Sequence, residues 1–285
     1  KDNSIIVEDN GRGFPVGIHP TEDKPTIEVI MTTLHAGGKF DNYIYKMSGG
    51  LHGIGVSCTN ALSKELTITV FRNNTTHTMS FNNGKVSQEL KMKKGNNGKN
   101  LKGETGTIIH FKPDDKIFSV TKFDSEMIKS KLIELSYLNA GLKISFDDRR
   151  TSNRQEIFIN KDGIKAYIEE LNKGKKSLYI SPFHCSKTYH TENDNDIIIN
   201  IAMHHYNQDK DTIYSFANNI KTVDGGTHVV GLRKALTRVI NQYTTENNKF
   251  TKGCDKLDGV DVRSGVCAIV SVYLSAPKFE GQTKG

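Results

Sequence analysis

No stretch of this 285-residue chain approaches the roughly 20 consecutive apolar residues of a helical membrane span, and no secretory leader pattern opens it. Neither pattern points to a membrane. Cysteine is scarce and unpatterned: Cys58, Cys185, Cys254 and Cys267 show no CxxC spacing and no ladder of pairs. That argues against a disulfide framework and a thiolate metal site, and a reducing compartment is expected. No internal repeat is visible, and no basic block either. The net charge is +7, from 39 Lys and Arg against 32 Asp and Glu. Much of the lysine travels with asparagine, as in GNNGKN and ENNKF. The charge suits a nucleic-acid partner, and a compositional drift toward Asn and Lys explains it as well. Hydrophobic residues make up 35% and mean hydropathy is −0.50. The apolar residues nevertheless fall in periodic runs, which favours a globular protein.

What is present reads as about two domains. SIIVED is a strand pattern ending in the turn NGRG, and PTIEVIMTTLHAG has helical spacing and is expected to run to Gly37-Gly38. ELTITVFRN and THTMSFNNGKV alternate with period two, as an antiparallel pair does. GTIIHFKPD is a further strand, FDSEMIKSKLIELSYLNAG a long helix, and LKISFDDRR with QEIFIN a hairpin. KMKKGNNGKNLKG reads as a solvated loop. The rhythm changes near residue 157, and a second α+β unit is expected over 158–285. There GIKAYIEELNKG is a short helix, IIINIAMHHYN and TIYSFANNI are strands, and THVVGLRKALTRVINQYTTEN is a long helix. DVRSGVCAIVSVYLSAP reads as a strand pair or one long strand. The chain opens directly on a strand pattern and stops in FEGQTKG without a terminating element, as a piece cut from a longer protein would.

Four short segments carry little side chain. SGGLHGIG, residues 48–55, holds four glycines and then feeds a helix start, VSCTNALS. On its own it is either a hinge or a cradle in which bare N–H groups and a helix N-terminus face an anion. Asp9-Asn10-Gly11-Arg12-Gly13 is either a turn closed by its own Asp or a carboxylate free to accept from an exocyclic amine. His35-Ala36-Gly37-Gly38-Lys39-Phe40 is a second bare stretch with one cation, and Thr105-Gly106-Thr107 heads a strand.

In this order the segments resemble the ATP-binding domain of the GHKL superfamily. In that superfamily a DxGxG turn meets adenine and a GxxGxG segment wraps phosphates. HAGGKF, SGGLHGIG, NNIKTVDGGTHVVGLRKAL, DVRSGVCAIVSVYL and the Gln282-Thr283-Lys284 ending narrow the resemblance to the type IIA topoisomerases. Within these the chain is similar to gyrase B and to its topoisomerase IV counterpart, gyrase B being preferred. The resemblance covers essentially the whole chain. It implies an α+β protein: a GHKL (Bergerat) α/β sandwich over 1–157, lacking its N-terminal part, then a transducer over 158–285 with the fold of ribosomal protein S5 domain 2.

The resemblance also implies roles. Asp9 accepts the adenine amine, Thr107 completes that network through water, and Gly13 lets the backbone approach the base. Gly37, Gly38 and Lys39 meet the ribose and phosphates. Gly49, Gly50, Leu51, His52, Gly53, Ile54 and Gly55 wrap the triphosphate. His52 faces the phosphates or supports the lid, unless it merely packs under the loop. Gln282 and Lys284 reach the γ-phosphate, where a point charge answers a charged terminal group. Taken alone, Lys284 would be a solvated surface charge. Arg72 taken alone is an exposed strand-end arginine. By resemblance it joins Asp9, Arg12, Pro15 and Thr107 around coumarin inhibitors, and it is expected to matter to them more than to ATP.

The implied activity is an ATP-dependent type II topoisomerase. Its cofactors are ATP and Mg²⁺, and its partners are DNA, the DNA-cleaving gyrase A protein in a heterotetramer, and a second copy on ATP binding. Two departures stand out. Phe14 occupies a position usually aliphatic. The family's general-base glutamate and Mg²⁺-binding asparagine lie on a helix before the DxGxG strand, and this chain starts after it, so no metal ligand is assigned within it. Glu8 faces away from Asp9 by strand alternation. A GHKL chaperone or repair clamp lacks the QTK lysine, and a non-catalytic nucleotide-binding regulator would not hydrolyse ATP. The expected compartment is bacterial cytoplasm, or a plastid or other organelle of an AT-rich eukaryote.

Overall fold

The computed structural model describes residues 2–36, 53–94, 105–150, 155–191, 196–247, 249, 256–275 and 277–281. They fall into two compact units, one reaching to Asp124 and the other running from Ser125.

The first unit contains β1 (Ile5–Asp9), α1 (Thr26–Thr32), α2 (Gly55–Ala61), β2 (Ser63–Arg72), β3 (Thr75–Asn82), β4 (Lys85–Lys94) and β5 (Gly106–Pro113). The strands form one antiparallel sheet in the order β1-β5-β2-β3-β4. Period-two alternation decides its two faces. Leu66, Ile68 and Val70 of β2 are at most 1% exposed and pack with Met79 and Phe81 of β3 beneath Ile27 and Met31 of α1. Burying each such side chain contributes about 1.5–3 kcal/mol. Thr67 and Thr69 alternate with them and bond across to Ser80 and Thr78 on the other face. Phe14 and Val16 pack at the edge of the same core, so Phe14 is a core residue here.

Two elements differ from the sequence reading. α1 ends at Thr32 rather than at Gly37-Gly38: Thr33 is extended at φ −113°, ψ 132°. The β-branched Thr32-Thr33 pair resists continuation of the helix. The lysines of KMKK belong to β4, an edge strand paired with β3 across the Asn83-Gly84 turn. Charge on an edge strand is how sheets discourage further pairing.

The second unit contains α3 (Ser125–Leu138), β6 (Ile144–Asp147), β7 (Gln155–Phe158), α4 (Ile164–Leu171), β8 (Phe183–Tyr189), β9 (Ile197–His205), β10 (Thr212–Ala217), β11 (Ile220–Lys221), α5 (Thr227–Glu246), α6 (Gly259–Arg263) and β12 (Val266–Tyr273). Its large sheet has the order β11-β10-β12-β9-β8, with β10 and β12 parallel. The crossover that parallel neighbours require is supplied by α5. β12 is central and buried almost throughout. Cys267 and Ile269 pack with Leu138, Ile164, Tyr167 and Ile168, while Val266, Ala268, Val270 and Val272 pack with Val229 and Leu232 of α5. A strand covered on both faces reads as one apolar run. DVRSG is not part of it: it forms α6 and ends at Gly265, whose φ is +75°. A Cβ at Gly265 would lie 2.3 Å from the Tyr206 carbonyl oxygen, so the break between α6 and β12 needs glycine. The expected mixture of helix and sheet is therefore present in both units.

Candidate functional site

The site begins at one rung of the first sheet. Asp9, the last residue of β1, pairs with Thr107 of β5, and Thr107 pairs on its other side with Val70 of β2. Cross-strand partners share a face, so Asp9, Thr107 and Val70 stand together on the helix-covered side. Val70 is fully buried and Thr107 is 3% exposed. Asp9 is exposed at the sheet's edge. Glu8 pairs with Ile108 and points to the opposite face, as strand alternation requires.

The DNGRG turn is closed through one carboxylate oxygen of Asp9. Asp9 Oδ1 accepts the Gly11 N–H at 2.8 Å, closing an Asx turn. The second oxygen has no partner among the described residues and remains an acceptor. Gly13 then folds back onto the sheet with φ +71°. A Cβ there would lie 3.0 Å from the Phe71 carbonyl oxygen and the Val70 Cγ1, and 3.2 Å from the Gly106 carbonyl oxygen. The bare backbone at residue 13 is thus demanded by the protein itself. Arg72, half-buried at the end of β2, donates from Nη1 to the Gly13 carbonyl at 3.2 Å. Arg12 and Pro15 are exposed on either side of Gly13.

The neighbouring rung position on β3 holds a residue that sequence reasoning missed. His77 pairs with Val70, is 5% exposed, and its Nδ1 has no hydrogen-bond partner among the described residues. Burial pushes its imidazole pKa below the ordinary value. The signal was available, since His77 sits at an inward position of the alternating run THTMSF.

Of the glycine segment, the structure describes Gly53, Ile54 and Gly55. Gly53 has φ +58°, Ile54 caps α2, and a Cβ on Gly55 would meet nothing within 4 Å. Ser57 and Thr59 return their hydroxyls to the Ile54 and Gly55 carbonyls at 3.1 and 3.0 Å. Gly37, Gly38, Lys39, Gly49, Gly50, Leu51, His52, Gln282 and Lys284 lie outside the described residues.

The sequence profile of the DNA gyrase B family matches residues 163–285. Among solved structures, the 43K ATPase domain of Thermus thermophilus gyrase B, in complex with an aminocoumarin, is 36% identical. It superposes with a TM-score of 0.79 over 98% of this chain and 69% of that one. This chain belongs to the DNA gyrase B family. The gyrase B proteins of Campylobacter jejuni and Thermotoga maritima are 46% and 44% identical over all of this chain, which spans 35% and 44% of their respective lengths. The ATP-binding domain of Francisella tularensis topoisomerase IV, in complex with a small-molecule inhibitor, is 30% identical with a TM-score of 0.78. It is covered to 72%, and this chain to 100%. The Bergerat-type sandwich expected from the DxGxG and GxxGxG segments is therefore the fold of a gyrase B relative.

Proposed function

We propose that this chain is the ATP-binding region of a gyrase-type type IIA topoisomerase, in which ATP closes a dimer gate around DNA and drives negative supercoiling. The observation that carries the reading is the Asp9–Thr107 rung. One carboxylate oxygen holds the turn and the other stands free beside a buried hydroxyl, on a floor of buried Val70. That arrangement suits a planar base with an exocyclic amine, because an ionised carboxylate only accepts.

In this reading Asp9 takes the adenine amine, Thr107 supports it through water, and Gly13 keeps the turn low against the sheet. Gly37, Gly38 and Lys39 meet the ribose and phosphates. The backbone N–H groups from Gly49 to Gly55 wrap the triphosphate, with His52 among them. Gln282 and Lys284 contact the γ-phosphate. Mg²⁺, where bound, would neutralise phosphate charge, and we assign it no ligand in this chain. We keep the division at 157/158 into ATP-binding domain and transducer as part of this reading. The family profile begins at residue 163, whereas the compact units divide between Asp124 and Ser125, which puts α3 and the β6–β7 hairpin with the second unit. DNA, the DNA-cleaving gyrase A protein in a heterotetramer, and a second copy of this protein are the partners. Coumarin-type inhibitors would meet Asp9, Arg12, Pro15, Arg72 and Thr107, as suits a relative of a protein solved with an aminocoumarin. The compartment is bacterial cytoplasm, or an organelle if the source is an AT-rich eukaryote.

Asp9→Asn tests the reading with the fold held constant. Asparagine keeps the oxygen that accepts from Gly11 and turns the free acceptor into a donor, which opposes the amine. The expected loss is about 2–4 kcal/mol, roughly 30- to 1,000-fold in nucleotide affinity by titration calorimetry. Equal affinities would remove Asp9 from the role. An ATP-dependent supercoiling assay on the full-length protein with its DNA-cleaving partner separates gyrase from topoisomerase IV, which would decatenate instead.

A further inference from the structure

We propose that Arg72 is a positioning residue for adenine recognition: it latches the 10–13 turn to the sheet, so that the second oxygen of Asp9 stays free and aimed beside Thr107. The proposal rests on the reading of Asp9 as the adenine acceptor.

Three kinds of contact at Asp9, Gly13 and Arg72 restrain the turn, each differently. The Gly13 backbone lies so close to Phe71, Val70 and Gly106 that a methyl group there would press on them at 3.0–3.2 Å. Such a seat stops the turn from moving inward and does nothing to stop it lifting away. The Asp9–Gly11 bond ties only the near end of the turn to the end of β1 and leaves the far end to lift and draw Gly11 away. The Arg72 bond to the Gly13 carbonyl joins the turn's far end to the sheet by an attractive, directional contact. The donor is charged and half-buried, which makes the bond stronger than one between neutral groups. Arg72 stands two positions beyond Val70 on β2, so it closes a ring through Asp9, Thr107, Val70 and the turn.

If the turn lifts, Gly11 moves and the carboxylate loses the bond that orients it. The guanidinium has five donors, and Gly13 is its one partner among the described residues. Arg72 can therefore hold the turn and still offer donors to an inhibitor. Sequence alone made Arg72 a residue for inhibitors rather than for ATP. Its bond to Gly13 makes it a determinant of adenine preference as well.

The experiment measures the affinities of ADP and of purine riboside diphosphate, which lacks the exocyclic amine, for the full-length protein by calorimetry. Arg72→Gln should weaken ADP about tenfold and leave the purine analogue unchanged, because only ADP uses the oriented Asp9. Arg72→Lys, which keeps a cationic donor, should recover most of the loss. In an Asp9→Asn background Arg72→Gln should cost nothing further, since two residues acting through one contact are not additive. Equal loss of both ligands would mean general damage to the pocket and would overturn the proposal. So would undiminished ADP affinity, or additive losses in the double variant. Wild-type protein that binds the two ligands equally well would remove the adenine reading itself, and the proposal with it.

Discussion

Arg150 grips Asp148 with both arms of its guanidinium: Nε donates to Oδ1 at 2.9 Å and Nη2 to Oδ2 at 2.8 Å. The Ser125 hydroxyl, at the head of α3, donates to the same Oδ2. The turn after β6 is thereby tied to the start of a helix.

This pair should make stability depend on pH in the acid range. Bonds from Arg150 first and Ser125 second hold the Asp148 carboxyl well below the usual carboxylate range. A pKa lowered by folding contributes stability above the unfolded value, near 3.9, and that contribution is lost as pH falls toward the folded one. Asp148→Asn should cost about 1.5–3 kcal/mol at neutral pH. In urea unfolding, its deficit relative to wild type should shrink below about pH 5. A deficit that stays constant with pH would mean that the charge is not what stabilises the turn.

Gly13→Ala should destabilise through the backbone and through contact together. Its φ of +71° is unfavourable for alanine, and the new Cβ would sit 3.0 Å from Phe71 O and Val70 Cγ1. A cost of about 2–4 kcal/mol is expected. Gly17→Ala is the control, since nothing lies within 4 Å of a Cβ there. Chemical denaturation of the two variants side by side should separate them clearly, and similar curves would discredit the close approach.

His77→Leu should stabilise the protein. A buried nitrogen without a partner costs about 1–3 kcal/mol, which an apolar side chain of similar size does not incur. Burial lowers the imidazole pKa on folding, so wild-type stability falls as pH drops through about 6.5. The advantage of leucine should therefore widen in acid. A less stable His77→Leu protein at pH 7 would show that the imidazole has a partner in solution.

Lys284→Ala, in the full-length protein, should leave ADP affinity nearly unchanged and lower ATP turnover steeply. Loss of a cation acting on a transferring phosphoryl group costs about 10³–10⁵-fold. Dimerisation driven by a non-hydrolysable ATP analogue should weaken too, because a contact made only with the γ-phosphate biases only the ATP-bound state. Near-normal turnover would return Lys284 to the role of a surface charge.

The elements read correctly from sequence were those whose periodicity reports one covered face. β2 alternates Leu66, Ile68 and Val70 with threonines, and both the strand and its partner β3 were readable. β8 was not, because all of FHCSKTY is exposed at the edge of its sheet. A strand with no covered face leaves no alternation to find. α6 was absorbed into β12 because the signal that divides them, Gly265 pressed against Tyr206, is a tertiary contact. At the site, the Asp9 turn follows from local chemistry, while Thr107 was joined to it only by the family resemblance, and their pairing across β1 and β5 is a tertiary fact. The Arg72–Gly13 bond joins residues far apart in the chain, so no local pattern announces it.

The sheet order has a consequence for synthesis. β1 pairs, among the described residues, with β5 alone, Ile5 opposite Phe111. The β2–β3 hairpin can close on a timescale of about 1–10 μs once translated. β1 must wait for the ribosome, at about 5–20 residues per second, to deliver β5 several seconds later. During that interval Ile6 and Val7 lack their β5 partners, His110 and Ile109. Asp9 therefore joins its site only after nearly all of the first unit has emerged.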